Sequence, residues 1–132
     1  MGLVRVLLEE KKENRKIYKI EKDLYELMGS LYNGKNWKNG EKRIEEIKND
    51  GDEYKKNVKD TIGNLESFLV PGENEMESRL NNCRTGCRTV ERRVVSLKLK
   101  RDKAEGLDFD KNILRYFNRL SYLLNWMWRS KF

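Results

Sequence analysis

Apolar positions along this chain recur in steps of three and four, the period of helices that bury one face. From Glu73 to Lys103 they fall at Met76, Leu80, Cys83, Cys87, Val90, Val94 and Leu97, one stripe along a long helix. Upstream, Leu3, Val4, Leu7 and Leu8 give Gly2 to about Lys12 the look of the tail of a helix. Ile17, Ile20, Leu24, Leu27 and Leu31 mark the next one, with Asn14 in position to cap it. Glu41 to about Lys59 carries Ile44, Ile47, Tyr54 and Val58; Gly51 predicts a break near Asp50-Gly51-Asp52. The last helix, which Asp110 can cap, shows Ile113, Tyr116, Phe117, Leu120, Leu123, Leu124 and Met127.

Between these helices lie turn-forming stretches. Asn33 to Gly40 is a connection in which Trp37 is expected to close a bundle end. Leu65 to Gly72 is a connector whose proline disfavours helix just before it, so the long helix starts afresh. Arg101 to Phe109 reads as a loop. No strand pattern remains. The expected fold is all-α, an antiparallel bundle of four to five helices in a single domain spanning 1–132. Asp23 and Glu26 fall off the apolar stripe and are expected to be solvated. Tyr18, Tyr25 and Met28 widen that stripe, the pattern of a subunit contact. Trp126 and Trp128 read as packing residues at a bundle end or subunit seam.

Composition narrows the function classes. Charged residues make up 39% and apolar ones 37%, against a usual charged share of about 25%. Helices that each bury one stripe and expose the rest have this balance. The formal charge of +7 favours anionic partners, but basic and acidic residues are interspersed, so the charge argues only weakly for nucleic acid. Without His and with two Cys, the usual zinc ligand sets cannot be assembled in one chain. Cys83 and Cys87 sit one turn apart, with Cβ atoms expected about 5–6 Å apart. A disulfide needs about 3.8 Å, so both are expected to be reduced thiols in a cytoplasmic protein. No apolar run approaches the ~20 residues of a membrane span. The Asp-rich stretch at 50–52 does not match the spacing of a calcium loop.

Candidate chemistry lies on the long helix. Arg84, Arg88, Glu91 and Arg92 stack on a face beside the apolar stripe. Guanidinium forks bind carboxylate or phosphate oxygens in bidentate fashion, so the row is either an oxyanion clamp or a solvated basic face.

A family resemblance bears on that choice. Phe68-Leu69-Val70-Pro71-Gly72, then Arg84-Thr85 with Cys87-Arg88-Thr89-Val90-Glu91-Arg92-Arg93-Val94-Val95, then Arg115-Tyr116-Phe117-Asn118-Arg119-Leu120-Ser121 occur in this order. Together they resemble the propanediol-utilisation type of ATP:cob(I)alamin adenosyltransferase. Ile20 to Leu31 is similar to a further helix of that family, and Gly2-Leu3-Val4-Arg5 to the end of its first helix. The resemblance implies transfer of the 5′-deoxyadenosyl group of ATP, taken with Mg2+, to the cobalt of cobalamin, with release of triphosphate.

It also implies site residues. Arg88 and Arg92 would be the catalytic cations at the phosphates, with Glu91 and Asn118 completing the ATP site. Phe68 would stand over the lower face of the corrin. Arg84 would be structural or part of a subunit interface, in a homotrimer with its sites between subunits.

Departures are Glu73 for a second Gly, Asn81 for a His, Thr89 for an Arg, Tyr122 for an Asp and Asn125 for a Phe. The family's Gly-, Lys- and Thr-containing phosphate loop has no counterpart, so relative to the family the chain reads as truncated at its N-terminus. The alternative is a relative that keeps the bundle and binds corrinoid or a partner without turnover.

Overall fold

The computed structural model describes residues 1–8, 10–33, 36–62, 69–103 and 111–132, with residues 33, 62, 101–103 and 111 described for their backbone only. These residues form five helices and no strand: α1 (Gly2–Leu7), α2 (Lys11–Asn33), α3 (Gly40–Ile62), α4 (Glu75–Lys103) and α5 (Lys111–Arg129).

The most apolar stripe sits at the centre. Ile113, Tyr116, Leu120, Leu123, Leu124 and Met127 of α5 are all buried, and α3 and α4 flank that helix. Each such side chain contributes about 1.5–3 kcal/mol by leaving water. Successive long helices alternate in direction, and α3 and α5 run parallel in direct contact. Their register is given by Gly40 against Asn112 and Gly51 against Tyr122. α2 lies along α3 in the opposite sense, tied by Lys16 to Asp50 (3.7 Å) and by Arg43 to Asp23 (2.8 Å).

Several expectations change. The Gly2–Lys12 segment is not one helix: the chain becomes extended at Leu8, and α2 begins at Lys11. Asn14 therefore lies inside α2 rather than at its cap. Its amide donates to the Arg5 carbonyl (2.8 Å) while its oxygen accepts from Arg5 Nε (3.2 Å), so it serves the end of α1. Free carbonyls at a helix end need such a donor.

α3 runs unbroken through Gly51. A Cβ there would lie 2.6 Å from the Tyr122 ring, so this glycine exists for close helix approach, not as a hinge. α4 continues to Lys103, past the expected start of a loop at Arg101. Residues 104–110, with the expected cap Asp110, lie outside the described residues.

Asp23 and Glu26 are not merely solvated. Asp23 is buried; it accepts two bonds from Arg43 Nε (2.9 and 2.8 Å) and one from the Tyr116 hydroxyl (2.8 Å). Burial, then the Asp23 charge, raise the Tyr116 pKa far above its ordinary value. Glu26 accepts from Trp37 Nε1 (2.9 Å), and the buried Trp37 ring stands edge-on to Tyr116 at 5.0 Å. Trp37 thus closes a bundle end, through a polar network that fixes its orientation.

α4 begins after a Pro71-Gly72 turn, where Gly72 has φ +115°, a conformation that suits glycine. The buried Glu77 side chain accepts from the Gly72 and Glu73 amides (2.9 and 2.8 Å) and faces Trp128 Nε1 at 3.5 Å. Burial opposes ionisation of Glu77, but these donors hold its pKa below the ordinary value. Among the described residues, no helix is long and apolar enough to cross a membrane.

Candidate functional site

α4 packs its Leu80–Cys87–Val94 stripe inward, which turns the arginine row outward beside α5. Within that row, Glu91 joins the two helices. One carboxylate oxygen accepts from Asn118 Nδ2 of α5 (3.3 Å), and the other faces Arg88 Nη1 (3.4 Å). The Glu91 side chain is 15% exposed and that of Arg88 58% exposed. The carboxylate is therefore held at the helix seam, while the guanidinium reaches into solvent.

Arg92 stands one turn further along. It is exposed, and its Nη2 donates to the Thr89 hydroxyl (3.3 Å), which itself donates to the Thr85 carbonyl (3.1 Å). Thr89 thus spaces Arg92 without adding charge. Arg84 lies one turn the other way, half-buried, with its guanidinium 4.8 Å over the Trp128 ring and two bonds to Asn81 Oδ1 (3.1 and 2.7 Å). Burial, then the charges of Arg129 and Arg88, pull the Arg84 pKa below its ordinary value.

Arg84, Arg88 and Arg92 are thus one row with different settings. Arg84 is packed on an indole, Arg88 is steered by a carboxylate, and Arg92 is open. No sequence pattern pointed to Arg129, whose charge acts on Arg84; it is brought there from the far end of the chain by antiparallel α4–α5 packing.

Beneath the row, the Cys87 thiol lies 3.5 Å from the Phe117 carbonyl, and its pKa is pushed up to about 12, first by burial and then by Glu91. Both cysteines are free. Beside the row, an apolar groove of about 350 Å³ runs between α2 and α4, walled by residues such as Leu24, Leu31, Cys83, Val90 and Phe117.

On α5, Tyr122 donates to Asp52 of α3 (2.6 Å), which raises its pKa to about 12 together with the larger effect of burial. Tyr122 therefore serves the α3–α5 contact. Asn125 is half-buried on the same helix. The residue expected under a corrin, Phe68, lies outside the described residues; its neighbours Leu69 and Val70 sit beside Phe132 at the end of the bundle.

Of the expected site, Arg88, Glu91 and Asn118 are brought into one bonded unit, flanked by Arg92 and Arg84. Among the described residues no three His, Cys, Asp or Glu side chains gather to hold a metal ion.

No curated protein and no solved structure matches the chain significantly. The pattern that defines the family described as cobalamin adenosyltransferase matches residues 1–131. The all-α fold agrees with that match, and the chain belongs to the cobalamin adenosyltransferase family.

Proposed function

We propose that this chain transfers the 5′-deoxyadenosyl group of ATP to the cobalt of cob(I)alamin, releasing triphosphate. The observation that carries this reading is the Arg88–Glu91–Asn118 unit across α4 and α5, with a second guanidinium, Arg92, one turn away. The Co(I) electron pair forms the bond to C5′, and the C5′–O bond breaks with its pair leaving on triphosphate. No proton moves, so no general base is required. The protein's tasks are orientation and stabilisation of the departing charge.

Arg88 and Arg92 face the phosphates in this scheme, and a hydrogen bond to a charged group is worth about 1.5–3 kcal/mol. Glu91 is a positioning residue for Arg88 and accepts from Asn118, whose side-chain oxygen stays available to the nucleotide. Phe68 takes the lower corrin face. Arg84 is structural, set by Trp128, or meets a neighbouring subunit. We further propose a homotrimer, with the exposed Tyr18, Tyr25 and Met28 of α2 as its contact surface, and a cytoplasmic location.

The test is Arg88→Ala, read by formation of adenosylcobalamin from cob(I)alamin and ATP. Turnover should fall at least about a hundredfold, the scale of losing one charge-stabilising donor, with helical content unchanged because Arg88 is exposed. Turnover equal to the parent chain would sink the reading. Engagement of Tyr122 by Asp52, where the resembling family has an Asp, favours the second reading of a non-catalytic relative. Equilibrium binding separates the two: corrinoid bound without ATP supports the relative.

A further inference from the structure

A second concentration of positive charge lies on the other side of the molecule, in a cleft of about 620 Å³ between α2 and α3. One wall is the start of α2. Lys11, Lys12, Arg15 and Lys19 line it, and at 3.6 residues per turn they fall within about 100° of arc and about 12 Å of helix. Ile20 and Ile47, both buried, lie beneath these side chains.

The cations in this cleft divide into two sets. Arg43 is consumed by Asp23 and Glu46, and Lys16 lies against Asp50 and over the Tyr54 ring. Those two are internal struts. Lys11, Lys12, Arg15 and Lys19 are exposed and have no ion pair among the described residues. The facing acids, Glu46 and Asp50, are the ones already committed to Arg43 and Lys16.

Position adds to the imbalance. Lys11 and Lys12 occupy the first turn of α2, where the helix dipole favours anions and disfavours cations. The acidic residue of that turn, Glu13, is bound by Lys131 (2.8 Å) and does not offset them. Two of the four cations thus stand at the positive end of the helix; all four, unpaired among the described residues, repel one another, and a bound polyanion relieves that repulsion. The volume lies in the range of small-molecule sites, and flanking helices enclose the cleft on two sides, so it suits a compact ligand rather than a duplex.

We propose that this cleft binds a short polyphosphate chain, either free or as the tail of a nucleotide, at a site separate from the Arg88 row. The phosphate oxygens take Lys11, Lys12, Arg15 and Lys19.

The experiment is calorimetric titration of the whole chain at low salt with inorganic triphosphate and, separately, with ATP. The variants are a triple charge removal (Lys12→Gln, Arg15→Gln, Lys19→Gln) and, for the other face, Arg88→Ala with Arg92→Ala. All these side chains are exposed, and circular dichroism checks that the helices persist. Triphosphate binding should survive the α4 double variant and weaken at least about a hundredfold in the α2 triple variant, the loss expected for several charge-assisted contacts. Tighter binding of ATP than of triphosphate would assign the site to nucleotides; equal binding would assign it to the bare chain.

A triple variant that binds as the parent does would overturn the proposal. So would a parent that loses all binding in the α4 double variant, which would leave the adenosyltransferase reading standing. Loss of turnover in the α4 variant with the α2 site intact separates the two claims in the other direction.

Discussion

Removing the Asp23 carboxylate tests how this bundle holds α2. Asp23 is 5% exposed, and the Arg43 side chain bonded to it is 12% exposed. Breaking such a pair from one side costs about 3–5 kcal/mol, because the remaining charge is left without its partner. Arg43 keeps one ion pair, to the half-exposed Glu46, which places the Asp23→Ala loss near the lower figure. The Tyr116 hydroxyl, buried and bonded to the same carboxylate, adds about 1–3 kcal/mol for a donor left unsatisfied.

Together these give roughly 4 kcal/mol. With an unfolding entropy of about 2.1 cal/mol/K per residue, the midpoint should fall by about 15 °C. Thermal melts by circular dichroism, with urea melts to check that the m-value is unchanged, measure this. In a second arm, Asp23→Leu with Arg43→Met and Tyr116→Phe removes the carboxylate and both side chains bonded to it, leaving the half-exposed Glu46 to solvent, and should recover most of the loss. A fall of less than about 3 °C in Asp23→Ala would refute the argument that this network bears on stability.

Other outcomes follow from the same geometry. Gly51→Ala forces a Cβ to within 2.6 Å of the Tyr122 ring, so it should destabilise the fold by about 1–3 kcal/mol despite the better helix propensity of alanine. A raised melting midpoint would show that the ring gives way freely. Iodoacetamide at pH 8 should label Cys83 well before the buried Cys87, whose thiol titrates at about 12; equal labelling by peptide mass spectrometry would contradict that burial. Glu13 has its pKa lowered because Lys131 overcomes the opposing effect of burial, and Glu26 because of its bond from Trp37. Depressed carboxylates stabilise the fold above their ordinary value of 4.5 and lose that contribution as pH falls through their folded values. Melting midpoints should therefore drop steeply below about pH 4.5, and Lys131→Met should flatten the drop.

The helices that sequence periodicity places best are those whose apolar residues have no alternative use. α5 is read residue by residue, since Ile113, Tyr116, Leu120, Leu123, Leu124 and Met127 all go to the core. Periodicity fails where a polar residue is buried by a partner distant in sequence. Asp23 meets Arg43 at a separation of 20 residues and Tyr116 at 93, and no local pattern carries that information. Gly51 misleads for a related reason: propensity describes an isolated helix, while the missing side chain serves packing against Tyr122. At the site, the row of Arg84, Arg88 and Arg92 is legible from spacing. The distinct setting of each arginine is not, because Trp128, Glu91 and Thr89 make the difference only once α4 and α5 are side by side.

That difference bears on how the row can act. A row of equivalent, solvated arginines would hold an anion loosely, since each side chain must lose rotamer freedom on binding. Here Glu91, mostly buried and bonded to Asn118, restrains Arg88 before any ligand arrives. Glu91 also draws on the same guanidinium, so a phosphate must share or displace that contact. Glu91→Gln should therefore keep the bond to Asn118 but release Arg88, and the two effects on ligand binding oppose each other. If positioning dominates, phosphate affinity falls although a negative charge near the phosphates has been removed; if competition dominates, affinity rises. The 3.4 Å separation of Arg88 from Glu91 is long for a charge-assisted bond, so the restraint on Arg88 and the attraction a phosphate must displace are both small. Glu91→Gln, made in the chain that also carries Lys12→Gln, Arg15→Gln and Lys19→Gln so that the α4 row alone is read, should therefore change triphosphate affinity by less than about fivefold, and a larger change in either direction would show that Glu91 governs Arg88.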